Sequence, residues 1–117
     1  AWAVIDAKFA AAGAAREAVR AVVESPETSV DALERVARAA ALQAAATHGV
    51  DDGAVTVTPV QLSTRRCGPV RIAVAIDVRA NAVPGLAAAM VHSVSAAHEE
   101  VRDPYRSGLP GSADCAF

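Results

Sequence analysis

An α+β fold, with two Ala-rich helices packed on a small three-stranded antiparallel sheet, is predicted by three features of the sequence. Apolar residues recur at helical spacing over residues 1–48, they alternate with polar or small ones over residues 70–79, and Asp51-Asp52-Gly53 separates the two regimes. The length of 117 residues accommodates one compact domain, residues 1–117, with no room for a second core.

The first helix is expected over about residues 1–24. On a helical wheel Ile5, Phe9, Ala12, Val19 and Val23 form one stripe of larger apolar residues, whereas Asp6, Gly13, Glu17, Arg20 and Glu24 gather on another sector. A third face carries Ala3, Ala7, Ala10, Ala14, Ala18 and Ala21, short enough to let another helix lie close. No Ser, Thr, Asp or Asn precedes the first turn, so the helix is expected to continue upstream of Ala1. Trp2 suits a water–lipid boundary, where an indole keeps one edge wet, and equally suits a core or surface position.

Ser25-Pro26-Glu27 ends this helix, because proline lacks an amide donor and restricts the residue before it. Thr28-Ser29-Val30-Asp31 offers a capping box, and a second helix follows over about residues 29–48. Its stripe is Val30, Leu33, Ala37, Ala40, Ala41 and Ala44, and Gly49 suits the left-handed position past a helix end. The pair reads as an antiparallel hairpin.

Strands are expected over about residues 54–62 and 69–79. In the first, Val55-Thr56-Val57-Thr58 alternates, and Pro59 confines it to a sheet edge. In the second, Val70, Ile72, Val74, Ile76 and Val78 alternate with Arg71, Ala73, Ala75, Asp77 and Arg79, so one face is buried against the helices. Residues 90–101 are ambiguous. Leu86, Met90, Val94, Ala97 and Val101 have helical spacing, yet a third strand would complete a sheet that two strands could hardly sustain, and the strand is preferred. Residues 103–117 have no period and read as an irregular surface tail.

The core must use small side chains, since the chain has 30 Ala and 17 Val against four aromatic residues. Such a core buries little area per residue, at about 25 cal/mol per Å². Net charge is −2, and the 11 basic residues are scattered, which argues against a nucleic-acid footprint. Ten Arg to one Lys, with the Ala and Val excess, points to a GC-rich bacterial source. The longest uncharged stretch, within residues 80–98, is too polar for a bilayer-spanning helix, and no signal peptide is visible.

Cys67 and Cys115 are the two cysteines, one in the loop between strands and one in the tail. A bridge between them would fasten the tail to the sheet, contribute about 4 kcal/mol by loop closure and imply an extracytoplasmic location; two reduced thiols would imply cytosol. On one strand His92 and His98 would stand about 20 Å apart, too far to share an ion. His98, Glu99 and Glu100 form at most an exposed weak site. No phosphate loop, HExxH, CxxC or nucleophile elbow is present, so the chain is expected to be no enzyme and to use no metal or cofactor.

Asp6-Ala7-Lys8-Phe9 and Ala14-Ala15-Arg16-Glu17-Ala18-Val19-Arg20 resemble the stretch that follows the membrane helix in TadE-like minor pilins of bacterial Tad pilus systems. Val101-Arg102-Asp103-Pro104-Tyr105-Arg106-Ser107 looks like a tail found in actinobacterial members. The resemblance implies a pilin-like fold and a non-enzymatic minor pilin or pilus-assembly subunit at the cell envelope, anchored by an upstream membrane helix. Its implied partners are other pilus subunits, and it binds no nucleic acid. Within this reading Ile5, Phe9, Val19 and Val23 pack the helix on the sheet, the small-residue face meets neighbouring subunits, and Arg16 and Glu17 pair between subunits or helices or remain solvated. A cytosolic αβ module that binds a small ligand or protein is the alternative.

Overall fold

The computed structural model describes residues 4–65, 67–78 and 92–102. Helix α1 spans Val4–Glu24 and α2 spans Val30–Ala46. A single 3₁₀ turn at Asp52–Ala54 leads into strand β1, Val55–Leu62, followed by β2, Pro69–Val78, and β3, His92–Val101. The strands form one antiparallel sheet in the order β1-β2-β3. The ambiguous segment is therefore a strand, and the fold is α+β, two helices on a three-stranded antiparallel sheet.

Ser29 caps α2, its Oγ accepting from the Ala32 amide at 3.2 Å. The capping residue is thus one position later than a Thr28–Asp31 box would place it. At the other end Gly49 takes φ 79°, a left-handed conformation that lets the Val50 amide turn back to the Ala45 carbonyl at 3.1 Å.

Sheet alternation follows the sequence. Val55 and Val57 of β1 and Val70, Ile72, Val74, Ile76 and Val78 of β2 face the helices and are buried. Pro59 donates no ladder hydrogen bond, and the register shifts between Pro59 and Gln61, leaving Val60 unpaired and 56% exposed. β2 and β3 pair without interruption from Pro69↔Val101 to Val78↔His92.

Helix α1 is rotated relative to the expectation from its larger residues. Ala7, Ala10, Ala11, Ala14, Ala15 and Ala18 are all fully buried, together with Val19, Val22 and Val23. The buried arc covers more than half of the helix because α1 packs on α2 on one side and on β2 and β3 on another. The small-residue face expected to meet neighbouring subunits is therefore used inside the molecule. Phe9, expected against the sheet, is instead 68% exposed. Short side chains bring α1 within packing distance of two neighbours at once, and a large ring at the centre of that arc would hold them apart.

Arg102 closes the fold at one pole and is fully buried. Its Nη1 donates to the carbonyls of Glu27 at 3.1 Å and Ser63 at 3.2 Å, and its Nη2 donates to the Ser25 carbonyl at 2.5 Å. Its own amide donates to Gly68 O at 2.8 Å, and its carbonyl accepts from the Cys67 amide at 3.2 Å. The α1–α2 turn, the β1–β2 loop and the end of β3 meet on this one side chain. Ser25 and Glu27 lie just past the C-terminal end of α1, where the helix dipole favours a cation.

The β1–β2 loop is held tightly beside it. Cys67 takes φ 60°, and a Cβ built on Gly68 would stand 2.3 Å from Ser63 Cβ. Gly68→Ala is expected to lower stability by about 1–3 kcal/mol in urea unfolding, whereas Gly53→Ala, with nothing within 4 Å of the added methyl, should stay within about 0.5 kcal/mol. Arg102→Ala strands three carbonyls and opens a cavity, so an unfolding midpoint shift equivalent to about 3–5 kcal/mol is expected.

Candidate functional site on the first helix

The solvent side of α1 carries the residues singled out for interaction. Asp6, Lys8, Phe9, Arg16, Glu17, Arg20 and Glu24 are all exposed. Seven residues separate Phe9 from Arg16, two turns of helix, so they share one side. Arg16 and Glu17 make no ion pair within 4 Å among the described residues, so intramolecular pairing does not account for them. Val19 and Val23 are core residues, at 0% and 8% exposure, and can serve only the helix–sheet contact inside the molecule. Ile5 lies in α1, but its side chain lies outside what is described.

Glu17, Arg20, Ala21 and Glu24 line one wall of an open groove of about 470 Å³, with Ala40, Gln43 and Ala44 of α2 and Thr47, just past its end, opposite. The groove follows from the Ala-rich seam, since short side chains bring the backbones close and leave only the long charged residues to form its rim. Thr47 Oγ1 donates to the Ala44 carbonyl at 2.6 Å and closes the end of α2. The floor offers no buried polar side chain to orient a small molecule.

On β3 the structure splits the acidic and histidine cluster between two faces. Glu99 stands on the outer face opposite Arg71, with Nη1 to Oε1 at 3.5 Å, a half-exposed cross-strand pair of little energetic weight. His98 and Glu100 share the helix-facing side and approach to 2.9 Å, Nε2 to Oε2. Among the described residues no three His, Cys, Asp or Glu side chains are grouped so as to hold a metal ion. No described helix is long and apolar enough to cross a membrane.

Cys67 is not a free cysteine, and Cys115 lies outside the described residues. Arg102, to which the sequence assigns no role beyond opening a tail, holds the end of β3 beside Cys67. Nothing in the sequence shows where its guanidinium goes, because its acceptors are backbone carbonyls.

Compared with known proteins, the chain matches no protein-family model, no curated protein and no solved structure at a significant level.

Phe9→Ala is expected to change folding stability by less than about 0.5 kcal/mol, because the ring gives up little buried area. Val19→Ala should cost about 2 kcal/mol. Parallel thermal and urea unfolding of the two variants checks the assignment of Phe9 to the surface and Val19 to the core.

Proposed function

We propose that this chain is the extracytoplasmic domain of a non-enzymatic, pilin-like or pilus-assembly subunit of a bacterial Tad-type system, whose partners are other subunits of the same apparatus. The observation that carries the reading is the exposure of Phe9 on α1, with Arg16 and Glu17 exposed on the same helix and making no ion pair within 4 Å among the described residues. An aromatic ring left in water by a chain with only four aromatic residues is poorly explained by folding and well explained by a partner. The resemblance of residues 6–9 and 14–20 to TadE-like proteins supplies the kind of partner.

The reading includes a Cys67–Cys115 disulfide. Support comes from Cys67 not being a free cysteine and from the hydrogen bond between the Cys67 amide and the Arg102 carbonyl. The chain therefore leaves β3 beside Cys67, and a return of Cys115 needs to close only the residues after 102. Such a bridge would fasten a small-side-chained domain in an oxidising compartment.

Thiol titration of the native and the denatured protein taken from its own compartment checks this. No reactive thiol in either state is expected, and reduction should lower stability by up to about 4 kcal/mol. Two reactive thiols on denaturation would instead favour a reduced cytosolic binding module. Photo-crosslinking from position 9 in cells should capture a pilus subunit or a second copy of this chain, and capture of neither sinks the reading.

A further inference from the structure

The sheet has two unlike edges. β1 is blunted by Pro59 and by the register shift that leaves Val60 unpaired. β3 runs ten residues with no proline, lysine or bulge, and no described residue pairs with its second edge. An edge this regular is a template for another strand. We propose that it pairs antiparallel with β3 of a second copy, giving a two-fold dimer with a continuous six-stranded sheet and with the two α1 helices side by side.

Charge and register single out the second copy as occupant. A two-fold through Ala96 sets Glu100 opposite the partner's His92 and Glu99 opposite the partner's Ser93, so no like charges face each other across the new ladder. It also sets the partner's Ala96 against Ala96 and leaves the centre free of bulk.

The helices meet the same geometry independently. α2 packs over β1, and α1 packs over β2 and β3, so the flank of α1 turned away from α2 stands over the edge of β3 with which no described residue pairs. Measured from the mean direction of the α1 residues that line the α1–α2 groove, Phe9, Arg16 and Ala12 lie about 70°, 90° and 130° round the helix toward that flank, with Phe9 about 20° from Arg20. Strands stand about 4.8 Å apart, and α1 sits about that far inside the edge, so the two-fold brings the helix axes to about 10 Å. That is the spacing of packed helices.

The axial level also agrees. α1 and β3 both end at the Arg102 cluster and run in the same direction. Ala96 is about 20 Å back along the strand, which at 1.5 Å per residue corresponds to about thirteen residues back along α1 from Ser25, at Ala12. Phe9 and Arg16 lie three and four residues either side of that level. In the antiparallel helix pair each Phe9 ring therefore meets the partner's Arg16, a cation–π contact made twice.

The inference goes beyond the pilin reading and does not depend on it. Sedimentation equilibrium of the chain from micromolar to millimolar concentration should show a species of twice its 11.9 kDa mass. Phe9→Lys, which sets lysine against the partner's Arg16, is expected to weaken association at least about tenfold with unchanged circular dichroism. Adding Arg16→Glu to that variant should restore the association. Hydrogen exchange gives a readout without substitution: β3 amides should gain protection as concentration rises, and β1 amides should not. A monomer at every concentration, a Phe9→Lys dimer as tight as the parent, a double variant weaker than the single one, or β3 exchange independent of concentration would each overturn the proposal.

Discussion

A single guanidinium joins parts of this chain that share little else. Arg102 is buried to the last atom of its surface and reaches carbonyls at residues 25, 27 and 63 while its backbone holds the loop at 67–68. Each of those segments is a place where regular structure stops and carbonyls lack partners of their own. Burying a cation is costly, and the cost is offset only where several acceptors converge on it. The ends of α1, β1 and β3 meet where that requirement is satisfied.

Alanine sets the other constraint. With so little apolar area on each side chain, the domain gains cohesion from close approach rather than from bulk, and α1 satisfies this by burying alanines toward both α2 and the sheet. Among its larger residues Val22 is fully buried within that arc. Val19 and Val23 stay inside it, whereas Phe9 falls outside and meets solvent.

The elements were legible because their signals are local. Alternation marked β2, Pro59 marked an edge strand, and Ser25-Pro26 marked the helix break, each through backbone chemistry that tertiary context does not reverse. The third strand was legible only through an argument about the sheet, since Leu86, Met90, Val94 and Ala97 carry helical spacing. The orientation of α1 was misjudged because a wheel ranks faces by hydrophobicity, and in a chain this rich in alanine the face that packs closest is not the most hydrophobic one. The surface charges at Arg16 and Glu17 were legible as charges, and the burial of Arg102 was not, because its acceptors are backbone carbonyls that carry no side-chain signature.

The sequence separation of the Arg102 contacts bears on how the chain is made. Residue 102 meets partners 75 and 77 positions earlier, so during synthesis the helical hairpin and the first two strands emerge well before the side chain that fastens them. Until then those carbonyls are solvated and the edge of β2 awaits its neighbour. The helical hairpin and the first two strands therefore gain these hydrogen bonds only once residue 102 has emerged and reached back to residues 25 and 27.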